Sequence, residues 1–152
     1  MFARHPYLSL ATFVYLGVVG WATLTPQSGR ASSNLLWRMA EFFDRYEATQ
    51  WLTFSTLEFL ANIAMFVPLG LFFVLLLGRR RWWLAIALGF LLTMVIEFVQ
   101  QFIGGRVPDV RDIVANSLGA ILGTLLALVL TAAAARKRRA GRVSSEPIAS
   151  RL

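Results

Sequence analysis

Cysteine is absent from this 152-residue chain. Its absence removes disulfides, thiolate nucleophiles and cysteine metal sites, and leaves the redox compartment unreadable. Histidine occurs once, at His5. One imidazole cannot build a metal cluster, and at that position it reads as interfacial decoration. No metal ion and no cofactor is expected. There is no internal repeat, and no nucleophile–base pair that would specify a reaction.

What fills the chain instead is apolar side chain. Apolar residues make up 57% and mean hydropathy is +0.63, above the roughly one-half apolar content of soluble domains. The length allows one domain. The formal charge of +7 would suit nucleic acid if it formed a solvated face. It sits in short clusters beside apolar runs, where arginines act as topogenic anchors and contacts to anionic lipid. Nucleic acid is therefore not an expected partner, whereas membrane lipid is.

Four segments are long enough to cross a hydrocarbon core of about 30 Å, which takes roughly 20 residues. They run near Tyr7 to Leu24, Leu57 to Leu77, Trp82 to Ile103 and Val110 to Ala135. A secretory signal peptide fits the first segment poorly, since Thr23-Leu24-Thr25-Pro26 makes a weak cleavage site. The expected fold is all-α, a four-helix transmembrane bundle over residues 7–135 followed by a basic, disordered tail over 136–152. Arg4, Arg79-Arg80-Arg81 and the Arg136-Lys137-Arg138-Arg139 cluster fall on one side of such a bundle. The positive-inside rule then predicts a multi-pass protein of the bacterial cytoplasmic membrane with both termini in the cytoplasm.

The connection from about Gln27 to Thr56 faces the other side. Leu35, Leu36, Met39, Phe42, Phe43 and Tyr46 recur at helical spacing, with Arg38, Glu41, Asp44 and Arg45 between them. This predicts an amphipathic helix, capped by Ser33 or Asn34 and lying at the extracytoplasmic interface. A plain connecting helix fits the same pattern. Trp37 and Trp51 suit the membrane boundary.

Polar residues inside the spans carry the functional reading. A carboxylate within a hydrophobic span survives mainly when it faces protein or water and has a partner. Glu97 lies fifteen residues after Trp82, roughly 22 Å along the third span. Asn62 and Asn116 lie about one turn inside the outer ends of the second and fourth. Arg106, Asp109, Arg111 and Asp112 fall just above. Thr93, Glu97, Gln100 and Gln101 share a face of the third span through i+3 and i+4 steps. Glu58 and Asn62 share one on the second, as do Asp112, Asn116, Gly119 and Gly123 on the fourth. Ala115, Gly119, Gly123 and Ala127 form a small-residue stripe of the kind that lets helices approach closely in lipid. Gly104-Gly105 suits the C-terminal cap of the third helix, and Asp109 or a neighbour the N-cap of the fourth. Pro68 leaves the carbonyl of Ala64 without its helical donor.

Three readings fit this cluster. The amides and a neutralised Glu97 lock the helices together. Or an outward-facing polar site binds the head group of an amphiphile, with arginine suited to phosphate or carboxylate and amides to sugars or peptides. Or Glu97 or Asp112 transfers a proton as a general acid or base.

The same residues resemble the VanZ-like family of small bacterial membrane proteins. Asn62-Ile63-Ala64-Met65-Phe66-Val67-Pro68-Leu69-Gly70 is similar to the family's second-helix pattern. Glu97, Gln100 or Gln101, Arg106, Asp109, Asp112, Asn116, Gly119 and Gly123 are similar to its signature through the third and fourth helices. Leu24-Thr25-Pro26 is similar to its first-helix end. Some members begin the second helix with a basic or histidine residue, where this chain has Ser55-Thr56-Leu57-Glu58. The resemblance implies a theme, teicoplanin resistance at the cell envelope, without a reaction. The binding set expected from residues and resemblance together is Asn62, Glu97, Gln101, Arg106, Asp109, Asp112 and Asn116. The expected function is binding or modulating an envelope amphiphile, a lipid-linked precursor or a lipoglycopeptide of the teicoplanin type. The alternative is a membrane enzyme acting on a lipid-linked envelope or exopolysaccharide precursor. A homo-oligomer, or an accessory subunit docking through the Gly119–Gly123 face, remains open.

Overall fold

A computed structural model of the chain describes residues 6–25, 31–103 and 109–145. Five α-helices occur in order among the described residues: α1 (Pro6–Leu24), α2 (Ala31–Asp44), α3 (Phe54–Leu77), α4 (Trp82–Gln100) and α5 (Val110–Ser145). Four of them, α1, α3, α4 and α5, are long and apolar enough to cross a membrane. Their exposed Leu, Phe and Val side chains suit lipid contact, since backbone groups are satisfied within each helix. The architecture is the expected all-α four-helix bundle with an additional amphipathic helix.

Local sequence explains the boundaries. Thr53 caps α3, its hydroxyl accepting from the Thr56 amide at 3.3 Å. Gly78 stops α3 with φ +83°, its N–H donating to the Val74 carbonyl at 2.8 Å. A left-handed conformation of that kind favours glycine. One 3₁₀ turn over Arg79–Arg81 then leads straight into α4. Helix α2 begins at Ala31, so Ser33 and Asn34 fall inside its first turn and neither is the cap.

The last helix also departs from expectation. It continues through the basic cluster to Ser145, where the composition predicted disorder from Arg136 onward. Ala132 to Ala135 and the basic residues that follow are favourable helix formers. Extending an existing helix costs far less than nucleating one, and cations suit a C-terminal end. His5, Arg106, the Gly104-Gly105 cap and Pro108 lie outside the described residues, as does 146–152.

The bundle is organised around α3 and α5, which run in the same direction and share the most extensive helix–helix contact. Helix α4 packs on both of them, and α1 packs on α3 and α4. The small-residue stripe makes the α3–α5 approach possible. Gly119 lies against the Ile63 carbonyl and the Phe66 Cβ, and Gly123 against the Val67 carbonyl. Reciprocally, Gly70 on α3 lies against the Ala120 carbonyl and the Thr124 amide. Ala115, Ala120 and Ala127 are fully buried along the same stretch. Gly89 of α4 meets the Ala120 methyl from the other side. Because α3 occupies the Gly119–Gly123 face, that face is not free for an accessory subunit.

Helix α3 passes through Pro68 without ending. The Tyr15 hydroxyl of α1 donates to the Met65 carbonyl at 3.0 Å, next to the Ala64 carbonyl that Pro68 deprives of a donor. The Tyr15 ring meets Phe72 edge-on at 5.8 Å. A phenol hydroxyl in this apolar layer needs an acceptor, and the turn of α3 before Pro68 supplies one. Thr12, Thr23 and Thr131 satisfy their hydroxyls within their own helices, on the carbonyls of Leu8, Val19 and Ala127.

The α3–α5 contact generates a clear expectation. A methyl added at Gly119 or Gly123 would overlap backbone carbonyls, which cannot rotate away. Gly123→Ala is expected to destabilise the protein by about 1–3 kcal/mol or more. Gly17 and Gly20 have nothing within 4 Å, so alanine there should leave stability unchanged or raise it. Thermal unfolding in detergent checks the contrast, and equal effects at both pairs of sites would contradict the packing account.

Candidate functional site

The N-terminal turns of α3 and α5 and the C-terminal turn of α4 meet at one end of the bundle. Hydrogen bonds between helices tie them. The Asn62 amide of α3 donates to Asp112 Oδ1 of α5 at 2.8 Å, a hydrogen bond strengthened by carboxylate charge. The Asn116 amide of α5 donates to the Thr93 hydroxyl of α4 at 2.9 Å. Glu97 Oε2 of α4 accepts the Asp109 backbone N–H at 3.2 Å. Glu97 and Asn116 are almost wholly enclosed, at 4% and 2% exposure.

Asp109 is the N-cap of α5. Its Oδ1 accepts from the Arg111 amide at 2.8 Å, and its own carbonyl receives the Asp112 N–H at 2.9 Å. The Glu97 carboxylate therefore meets α5 at the positive end of the helix dipole. Asn116 Oδ1 and Thr124 Oγ1 have no hydrogen-bond partner among the described residues.

The adjacent glutamines on α4 separate in the structure. Gln100 is buried, at 3% exposure, and its amide donates to the Thr23 carbonyl at 2.9 Å, tying α4 to the end of α1. Gln101 lies beyond the helix and is exposed. The sequence leaves Gln100 or Gln101 open as the motif residue; the structure turns Gln100 inward and leaves Gln101, the member of the expected binding set, exposed at the end of α4. One residue of helix is a rotation of about 100°, enough to carry a side chain from the bundle interior to its rim. Asn62, Glu97, Asp109, Asp112 and Asn116 do come together. Arg106 lies outside the described residues.

Two features at this end were not in the expected set. Arg111 donates to the Ser55 hydroxyl and holds its guanidinium 5.9 Å above the Phe59 ring centroid. The sequence carried a weak signal for it, because a cation in the first turn of a helix opposes the dipole. The second is a cleft of about 220 Å³ between α2 and the start of α3, lined by Trp37, Ala40, Glu41, Asp44, Gln50, Leu52 and Thr53. Trp37 stacks on Phe54 at 4.4 Å and 19°, which anchors α2 over the entrance to α3. The amphipathic pattern revealed the helix but gave no hint of what its polar edge faces.

Between the cleft and the buried network lies a shallow depression lined by Ser55, Glu58, Phe59, Asp109, Arg111 and Asp112, with room for about 10 Å³. That is about one water. Among the described residues, more open space lies under α2 than beside the network. Among the described residues no group of histidine, cysteine and carboxylate side chains could hold a metal ion. The described part of this end carries Arg38, Arg45 and Arg111 against Glu41, Asp44, Glu47, Glu58, Glu97, Asp109 and Asp112, so acceptors and negative charge dominate it.

Substitutions distinguish support from surface. Asn62→Leu removes a half-buried hydrogen bond to the Asp112 carboxylate and is expected to cost about 1–3 kcal/mol. Gln100→Leu should cost more than Gln101→Leu, which at an exposed position should stay within about 0.5 kcal/mol. Glu97→Gln keeps an acceptor for the Asp109 N–H and should be milder than Glu97→Leu. Thermal unfolding in one detergent ranks all of them. A greater loss for Gln101→Leu than for Gln100→Leu would reverse the assignment of the inward glutamine.

Neither a curated protein nor a solved structure matches the chain. The family model VanZ/LLP1 matches residues 10–131, a span holding all four apolar helices of the bundle except the first residues of α1 and the extension of α5. The chain belongs to the VanZ/LLP1 family, as a membrane protein of that family.

Proposed function

We propose that the protein binds and modulates a cell-envelope amphiphile at the outer face of the bacterial cytoplasmic membrane. The observation that carries this is the cleft under α2, where the stacked Trp37 ring lies beside Glu41, Asp44 and Gln50. An exposed aromatic face with carboxylate and amide acceptors around it suits a head group rich in hydroxyls and amides, such as the sugars and peptides of a lipid-linked precursor or a lipoglycopeptide of the teicoplanin type. The excess of carboxylates favours such donor-rich chemistry over a bare phosphate. The head group lies across the N-terminal turn of α3, from Thr53 in the cleft towards Ser55 and Asp109. The acyl or polyprenyl part stays in lipid beside the exposed apolar side chains of α2.

In this reading the interior residues have a positioning role. Glu97 fixes the N-cap of α5 and Asn62 fixes Asp112, so the rim keeps its shape in the membrane. Arg106 belongs to the same site by its place in the sequence signature. The proton-transfer alternative draws less support. A general acid or base must come within hydrogen-bond reach of its substrate, and among the described residues the depression beside Asp112 has room for about one water.

The orientation belongs to the proposal as well, with the Glu97 end outside and both termini in the cytoplasm. The absence of cysteine makes it directly testable. A single cysteine in place of exposed Ala48 should react with a membrane-impermeant maleimide in intact cells, and one at Ser144 only after permeabilisation. The reverse pattern would overturn the proposal. For binding, teicoplanin and a polyprenyl-linked muropeptide are titrated separately into the protein in nanodiscs. Saturable binding of at least one is expected, weakened about tenfold or more by Glu41→Gln with Asp44→Asn, at unchanged thermal stability. No saturable binding of either probe, or full affinity in the double variant, would refute the cleft as the site.

A further inference from the structure

The opposite end of the bundle carries chemistry that the proposed function does not use. Seven of the eight acidic residues lie between Glu41 and Asp112, and the eighth is Glu146. The described residues at the α3–α4 turn and the end of α5 therefore contain cations and no carboxylate. Among those cations, Arg79 and Arg136 come from different elements and line one cleft of about 270 Å³, together with Ala132 and Ala135.

Three features make this more than a charged edge. First, the cleft has a built floor. Ala132, Ala135 and Arg136 follow one face of α5 at i, i+3 and i+4, so two small side chains leave open the space that Arg79 and Arg136 border. Second, it sits at the depth of head groups. Ala132 to Arg136 lie roughly 33–39 Å along α5 from Val110, just past a hydrocarbon core of about 30 Å. The Trp82 and Trp83 side chains, 46% and 57% exposed, mark the same boundary one turn beyond Arg79. Third, the cations are arginines, whose planar fork grips phosphate oxygens in pairs. Basic clefts between transmembrane helices near a membrane surface are suited to anionic lipid head groups.

We infer that this cleft is a binding site for the phosphodiester of an anionic phospholipid, held between Arg79 and Arg136 with its glycerol over Ala132 and Ala135. The lipid bridges the α3–α4 turn to the end of α5. The site is separate from the cleft under α2, and its test does not depend on that reading.

Native mass spectrometry of the detergent-purified protein provides the test, because orientation in a membrane does not enter. With phosphatidylglycerol and phosphatidylcholine added separately, a one-to-one phosphatidylglycerol adduct should be retained about tenfold better than phosphatidylcholine. Arg79→Lys with Arg136→Lys keeps the topogenic charge but loses the paired grip, and should remove most of that preference. Ala132→Leu with Ala135→Leu fills the floor and leaves both arginines, and should do the same. Arg80→Gln, at an arginine outside the cleft lining, should leave retention unchanged. Equal retention of phosphatidylglycerol in every variant would show diffuse charge attraction and overturn the site. Displacement of the lipid by inorganic phosphate at equal concentration would identify a free-phosphate site and overturn the lipid assignment.

Discussion

Backbone-to-backbone approach between α3 and α5 is the constraint from which the rest of this molecule follows. Gly119 and Gly123 let α5 rest on the carbonyls of Ile63 and Val67, and Gly70 lets α3 rest on Ala120 and Thr124. In lipid no hydrophobic force draws helices together, so association depends on close packing and on polar contacts between helices. The approach supplies the packing directly. It also fixes relative rotation and height, which is why Asn62 reaches Asp112 and Ser55, about two turns nearer the start of α3, reaches Arg111. A bulkier interface would separate the axes and leave these short side chains out of range.

The polar network then contributes specificity more than strength. An interhelical hydrogen bond in a membrane is worth about 0.6 to 2 kcal/mol, and only a few link α3, α4 and α5. Losing one partner leaves the other buried, which costs about 1–3 kcal/mol. A register shift of one residue along α4 would bring Gln101 inward and carry both Gln100 and Glu97 away from the Thr23 carbonyl and the Asp109 N–H that they now meet. Such a shift loses several contacts together, so few alternative packings compete. Rigidity of that kind matters at the rim, where Asp109, Arg111 and Glu58 owe their placement to groups beneath them.

Much of this was legible in the residue pattern because membrane constraints are severe. Apolar length marked the four crossing helices, and the depth of Asn62, Glu97 and Asn116 foretold a common layer. The small-residue stripe announced a close contact, though not with which helix. Its partner contributes chiefly the carbonyls of Ile63 and Val67, and a carbonyl leaves no trace in residue type. Gln100 and Gln101 were indistinguishable for a related reason, since which of two adjacent residues turns inward at a helix end is set by a tertiary contact, here the Thr23 carbonyl. The helical run beyond Arg136 was hidden because composition describes an isolated segment, whereas this one extends a helix already formed in the bundle. The cleft under α2 depends on Trp37 stacking on Phe54, a contact across a connection whose geometry the sequence does not encode locally.

The two ends of the bundle are opposites in charge, and that asymmetry connects topology to binding. Arginines retained on one side orient the chain during insertion, and carboxylates tolerated on the other have no comparable topogenic effect. The same division sorts ligands. Acceptor-rich groups around Trp37 and Asp109 favour donors such as hydroxyls and amides, while Arg79 and Arg136 favour phosphate. The Glu97 network ties one end of the α3–α4–α5 bundle together from within, through side chains of the chain itself. The other end carries no carboxylate among its described residues, so the phosphodiester inferred between Arg79 and Arg136 would supply a counter-charge there. On the proposed reading, the Glu97 end is held by the chain's own hydrogen bonds and the arginine end by the lipid inferred at Arg79 and Arg136.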